Sequence, residues 1–428
     1  MKVKGLRWFI IALIGLATVI NYIDRSAINI MWPYIYHEFG IADVDNKSTL
    51  ALITTFFMLA YALGQTFTGK LMDAVGTRLG MAVSIAGWSV SIALHALARS
   101  IFSFNIFRFF LGFFEAGNWP GATKSNAEWF PAKERAIAQG IFGAGASLGS
   151  VISAPVIAIL FVAFGWKTTF FMIGGLGLIW LLPWLIINKN TPDKHRWITS
   201  EEQEHILSSE SIVAGATQNT VVLSWLQLLQ YRSTWGIILG RFFIDPVWWL
   251  FVTWLPTFLK EQFMFDIKQI GAFTWFPYLC AAIGSLLGGF YSSRLIKQGT
   301  EASRARKRAV TIGCIFMLIG LIGILATLST LKEKPSLAMA LIGTVLFGFQ
   351  FLIGNLQTLP SDYFNGKNVG TVAGMGGTAA VVGTLFTTWA VPVITQTSYV
   401  SFFVLGAVLV PLAWLAINFM NSKNINSN

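Results

Sequence analysis

Apolar residues come in blocks of about 20 or more, the length a helix needs to cross roughly 30 Å of hydrocarbon, with short polar segments between them. The blocks lie at roughly 8–33, 48–70, 79–98, 101–123, 136–163 and 167–188, then at 233–259, 267–295, 308–328, 336–361, 368–394 and 399–420. Between the two sets runs a polar stretch, 189–232, carrying Lys189, Asp193, Lys194, Arg196, Glu201, Glu202 and Glu204. The pattern predicts an all-α polytopic membrane protein of twelve transmembrane helices in two six-helix bundles. An amino-terminal bundle is expected over 1–188, a polar linker with room for one short surface helix over 189–232, and a carboxy-terminal bundle over 233–428.

Composition strengthens this reading. Of 428 residues 55% are hydrophobic and only 11% are charged, too few charges to cover a soluble surface, where roughly 25% is usual. The net charge of +11 alone could suggest nucleic acid, but the cations sit in alternate short loops. Lys2, Lys4 and Arg7, then Lys70 and Arg78, Lys124, Lys133 and Arg135, the 189–232 stretch, and Arg294 through Arg308 all fall on one side. By the positive-inside rule that side is cytoplasmic, with both termini inside. The first block passes 20 residues and contains Asp24 and Arg25, so a retained span rather than a signal peptide is expected. Cys280 and Cys314 lie in apolar segments, giving neither a disulfide framework nor a metal site. His37, His95, His195 and His205 are scattered, with no nucleophile and base converging, so neither an enzyme nor a cofactor is expected.

An ionised group at midplane costs about 3 kcal/mol or more, so each charge inside a span calls for a partner, a wet cavity or a function. The first helix carries Asn21-Tyr22-Ile23-Asp24-Arg25-Ser26. Asp24 and Arg25, adjacent and therefore about 100° apart around the helix, should each face another helix. Arg108 and Glu115 lie two turns apart along one face of the fourth helix, which continues through Asn118 to Pro120. Two acids and two bases on two helices can form crossed pairs in which one acid exchanges a proton while a base is freed for an anion. The plainer alternative is a static salt-bridge network holding the bundle.

In the second half Arg241 and Asp245, four apart, can pair along one face, and Pro246 and Pro256 release backbone groups that a cavity can use. Trp248, Trp249 and Trp254 can stack on a sugar ring or anchor at an interface. Asn355 and Gln357 are expected in a cavity, and Tyr61 and Gln65, one turn apart, can reach one together.

Two features carry a family resemblance. The segment Gly69-Lys70-Leu71-Met72-Asp73-Ala74-Val75-Gly76-Thr77-Arg78 resembles the major facilitator loop signature G-x-x-x-D-x-x-G-x-R, whereas the equivalent Gly288-Gly289-Phe290-Tyr291-Ser292-Ser293-Arg294 lacks the Asp. The runs Lys4 to Trp8, Asn21 to Arg25, Arg108 to Glu115, Glu128 to Ala136 and Arg241 to Trp248 resemble the anion:cation symporter branch, and within it the hexuronate and sugar-acid transporters.

The resemblance implies a secondary transporter that imports a hexuronate such as glucuronate or galacturonate by proton symport, through alternating access with substrate held at midplane between the halves. It implies that Asp24 and Glu115 are the protonatable pair, Arg25 the partner or carboxylate anchor, and Arg108 the base coupled to Glu115. Tyr61, Asn118, Arg241, Trp248, Asn355 and Gln357 join Arg25 and Arg108 on the substrate, and Asp73 and Arg78 form a cytoplasmic gate. Ala146, beside Ser147, and Gly377, beside Thr378, stand where an aldonate carrier would have Gln and Asn, so the aldonate site is not reproduced, and the Arg241, Asp245-Pro246 pattern follows the hexuronate members, which favours a ring-form uronate. Aldonates, aldarates, sialic acid, sodium coupling and a non-transporting membrane sensor are the alternatives. A monomer in the bacterial inner membrane is expected.

Overall fold

The computed structural model describes residues 2–131, 134–189, 191–207, 223–331, 334–364, 367–396 and 398–419; at 66, 69, 70, 73, 135–137, 328–331, 367 and 419 it describes the backbone alone. Contacts divide the chain into two compact units, Met1–Gln218 and Asn219–Asn428. Among the described residues the regular structure is helical apart from one isolated bridge between Val3 and Ile198.

In the first unit α1 spans Leu6–Ile35, α2 Asn46–Leu94, α3 Ile101–Glu115, α4 Asn118–Trp129, α5 Arg135–Ile187 and α6 Ser200–Leu207. Both long helices are broken, α2 at Gly76 (φ 78°) and α5 at Gly165 (φ 75°), left-handed values that a side chain would strain. These breaks fall between the apolar blocks, so each long helix supplies two crossings. Ten stretches among the described residues are long and apolar enough to span a membrane; twelve are reached when Ala138–Ile187 counts as two and the interrupted α3–α4 pair as one.

The sequence pattern runs unbroken through the fourth helix, but the structure interrupts it at Ala116 and Gly117. Pro120 has no N–H to donate to the Ala116 carbonyl, so the helical ladder lapses one turn before it. Glu115 is thereby the last residue of α3.

The second unit contains the four-residue α7 (Trp225–Leu228), then α8 (Arg232–Phe263), α9 (Ile267–Lys297), α10 (Ala302–Leu331), α11 (Pro335–Tyr363), α12 (Lys367–Ile394) and α13 (Val400–Phe419). Within it α8 packs on α12 and α9 on α11; within the first unit α1 packs on the first part of α5 and α2 on α3. Counted along the chain, both units pair their first helix with their fifth and their second with their fourth. Internal structural repetition of this kind is a mark of transporter folds.

The 191–207 segment is folded onto the first unit. α1 lacks a side-chain cap of its own, and the buried Glu202 of α6 supplies one. Its Oε2 accepts from the Gly5 and Leu6 amides at 2.9 and 3.1 Å, and its Oε1 from the Arg7 amide and guanidinium at 3.2 and 3.0 Å. Arg7 also donates to Glu134 at 3.1 Å, and the other oxygen of Glu134 lies 2.9 Å from His205 Nε2. One acid thus satisfies three of the amides a helix start leaves unpaired.

Candidate functional site

Three helices of the first unit converge on a cluster of charge. α1 supplies Asp24 and Arg25, α3 supplies Arg108 and Glu115, and α2 supplies the rings of Phe57 and Tyr61. α3 comes close to α2 because Gly112 leaves room: a Cβ there would stand 2.3 Å from the Phe57 carbonyl oxygen. The backbone contact seats Glu115 beside α1.

The side chain of Glu115 is fully buried and that of Arg25 nearly so. Arg25 donates to Glu115 Oε2 from Nε at 3.2 Å and from Nη2 at 3.0 Å. The guanidinium also lies over the rings of Tyr22, Phe57 and Tyr61, at 5.3, 5.3 and 5.0 Å from their centroids. Asp24 is 0% exposed, and neither of its carboxylate oxygens has a hydrogen-bond partner among the described residues.

Arg108 is 2% exposed, and its Nη2 donates to the backbone carbonyl of Arg25 at 3.2 Å. Its guanidinium shares the Phe57 ring with Arg25, at 4.8 Å, while its Nε and Nη1 make no hydrogen bond among the described residues. The hydrogen-bonded partner of Glu115 is therefore Arg25, and Arg108 braces the helix that carries it. Asn118, in the first turn of α4, donates to Thr18 Oγ1 at 3.2 Å and leaves its own buried oxygen unpaired. Tyr61 is partly exposed and Gln65 exposed.

In the second unit Arg241 and Asp245 form a two-point pair at 2.6 and 2.9 Å. Trp248 stacks on Phe349 at 5.2 Å with 22° between the planes and meets Tyr278 edge-on. Asn355 is buried and spends both N–H bonds on the carbonyls of Gly288 and Phe351, each at 3.1 Å, tying α11 to α9. It stands in a packed seam instead of the expected cavity. Gln357 is exposed. Among the described residues no cluster of three His, Cys, Asp or Glu could hold a metal ion.

The model of the Major Facilitator Superfamily matches residues 14–388. The chain belongs to that superfamily. It is a multi-pass membrane transporter. The hexuronate transporter of Escherichia coli (strain K12) is 34% identical over 388 residues, covering 90% of this chain and 87% of that protein. The galacturonate transporter of Dickeya chrysanthemi is 34% identical over 319 residues, 74% of this chain and 90% of its own length. A probable sulfoacetate transporter of Cupriavidus necator is 31% identical over 86% of this chain and 83% of that protein. Among solved structures, a bacterial homologue of the human lysosomal transporter Spinster, inward-facing and unoccupied, gives a TM-score of 0.70 at 16% identity, covering 98% and 99% of the two chains. That likeness is one of fold.

The superfamily's loop signature lies around the break in α2. The Asp73 side chain is outside the described residues. Arg78 donates to the Leu185 carbonyl at 3.2 Å, and its own carbonyl accepts from Trp184 Nε1 at 3.0 Å, fastening the chain just after the break to the end of α5. Thr77 donates to Glu128 at 2.7 Å, and Lys124 to the Met72 carbonyl at 2.7 Å. In the second unit, whose equivalent loop lacks the acid, Arg306 pairs with Asp362 at 2.5 Å. Sequence reasoning missed that pair and the Arg7–Glu134–Glu202 group. Glu134 stood in the recognised run from Glu128, but nothing local joins it to residues more than a hundred positions away.

Proposed function

We propose that this transporter imports a sugar acid, a hexuronate such as galacturonate or glucuronate, together with a proton, across the bacterial inner membrane with both termini in the cytoplasm. The observation that carries the reading is the buried guanidinium of Arg25, held between the Glu115 carboxylate and three aromatic faces, with the carboxyl of Asp24, which accepts no hydrogen bond among the described residues, next to it in the chain. The hexuronate and galacturonate transporters among the relatives supply the substrate class.

A proton on Glu115 dissolves its ion pair, and the guanidinium, still framed by aromatic rings, takes the substrate carboxylate in place of the acid. Asp24, whose buried oxygens accept no hydrogen bond among the described residues, is the second proton site, because a buried charge that no donor bonds is expensive. Arg108 holds the backbone at Arg25. Tyr61 and Asn118 offer polar groups to the sugar, and Trp248 and Gln357 are the second unit's candidates for substrate contact. Arg241 and Asn355 have their donors committed to Asp245 and to the α9–α11 seam, so their substitution acts first on that unit's packing. Asp73 and Arg78 belong to the cytoplasmic gate, and the monomer is the working unit.

Uptake of labelled galacturonate into proteoliposomes under an inwardly directed proton gradient tests the proposal. Concentrative uptake, abolished by a protonophore and competed by glucuronate, is expected. Competition by gluconate, galactarate, sialic acid or sulfoacetate with no effect of hexuronates would overturn the substrate assignment. Binding with no counterflow would make the protein a sensor.

A further inference from the structure

A basic face opens α10. Arg304, Lys307 and Arg308 follow one another at three and four positions, so they share one stripe of the helix, and Thr311 continues it. The stripe lines a cavity of about 700 Å³, closed by the Tyr291 ring of α9, Tyr363 of α11 and Asn418 of α13. Like charges at this spacing destabilise a helix unless an anion offsets them.

Most of the acids nearby are already engaged. Asp362 pairs with Arg306, which is not among the residues lining the cavity. Glu301 lines the cavity and accepts from Ser303 at 2.7 Å. Among the described residues Arg304 and Arg308 are exposed and make neither a hydrogen bond nor an ion pair within 4 Å. Three cations against one carboxylate leave the cavity net positive. Its walls add the hydroxyls of Tyr291 and Tyr363, groups that suit phosphate and glycerol oxygens, while Thr311 and Asn418 have their donors committed to the carbonyls of Lys307 and Trp414.

Depth points to the source of the anion. The apolar membrane-crossing stretch Ala302–Thr327 has a mean hydropathy of 2.6 over its most apolar window, and the basic stripe occupies its first turns before Ile312 and Cys314. The cavity therefore sits at the level of lipid headgroups, where a cluster of Lys and Arg beside a span attracts anionic lipid. We propose that this cavity binds the phosphodiester headgroup of an anionic phospholipid, with Arg304 and Arg308 on the phosphate and the tyrosine hydroxyls on the glycerol. The two arginines give the planar, multi-donor recognition that phosphate oxygens favour.

The test uses the full chain in nanodiscs of phosphatidylcholine alone, of phosphatidylcholine with phosphatidylglycerol, and of phosphatidylcholine with free inorganic phosphate at constant ionic strength. Phosphatidylglycerol is expected to raise the melting temperature of the wild type by about 5 °C, the shift of a site filled well above its Kd. The double variant R304Q/R308Q should lose most of that gain, and R304K/R308K should recover part of it. K297Q, which removes an exposed cation of the same region outside the cavity, should keep the full gain. Melting temperatures in phosphatidylcholine alone report whether each variant folds. An unchanged gain in R304Q/R308Q, an equal loss in K297Q, or no gain in the wild type would overturn the site. If inorganic phosphate reproduced the gain and R304Q/R308Q abolished it, the ligand would be a soluble phosphate and the lipid assignment would be wrong.

Discussion

At the scale of single residues the acids of the cluster differ in what their neighbours give them. Glu115 has a two-donor partner and Asp24 has none, so neutralising them should act differently on stability. Arg25→Met strands a buried carboxylate and is expected to destabilise the fold by about 3–5 kcal/mol, while Arg25→Met with Glu115→Gln should cost much less. Denaturation midpoints in detergent, read as a double-mutant cycle, would reveal this coupling; additive losses would mean the pair does not hold the helices together. Asp24→Asn removes no hydrogen bond and should leave the midpoint nearly unchanged while abolishing gradient-driven uptake. Arg25→Lys should lower uptake at least tenfold, because an ammonium cannot donate from two nitrogens to one carboxylate while lying flat against aromatic rings. The sequence marked these four charged positions, since charge inside an apolar block is conspicuous. It did not reveal which arginine takes Glu115, because helix spacing fixes the face a residue occupies and not the rotation of the neighbour it meets.

Among elements, the close approach of α2 and α3 and the docking of α6 decide whether the cluster is assembled. A Cβ at position 112 would press on the Phe57 carbonyl, a backbone atom that cannot swing aside, so Gly112→Ala should cost about 1–3 kcal/mol and lower uptake by shifting Glu115. Retained uptake with an unchanged melting temperature would mean that the two helices have slack. The docked 191–207 segment carries its own pH dependence. Burial holds the His195 imidazole below its ordinary value of about 6.5, with a smaller push from the Lys189 charge. Its Nδ1 accepts from the Trp197 amide at 3.2 Å and its Nε2 lies 2.8 Å from the Ile187 carbonyl, which suits the neutral ring. The undocked segment therefore binds the proton more readily. Docking is at full strength above about pH 6.5 and weakens as pH falls below it toward the lowered docked value. Protection factors over 191–207, which correct for the slower intrinsic exchange at low pH, should fall from pH 7.5 to 5.5 in the wild type and respond less in His195→Gln.

The positions of most helices were readable because apolar length is a strong signal, and Gly76 and Gly165 broke the long helices where the polar intervals had suggested. The interruption after Glu115 was not, although Pro120 was in view, because the apolar pattern continues on both sides of it. The docking of 191–207 was also hidden, since its charges read as solvated when their partners, Arg7 and Glu134, are distant in sequence.

Over the whole molecule, two units repeat one pairing of helices, yet the buried acid–base cluster lies in the first. In the second unit the Arg241–Asp245 pair lies within a single helix, and Arg306–Asp362 joins two helices near their ends. We therefore assign proton coupling to the first unit and to Glu115 above all. The most direct measurement is proton movement triggered by substrate: galacturonate is added outside proteoliposomes carrying a trapped pH indicator, with no gradient imposed. The wild type should acidify the lumen as substrate enters, and Glu115→Gln should exchange labelled galacturonate by counterflow without moving protons. Lumen acidification by Glu115→Gln at the wild-type rate would contradict the assignment.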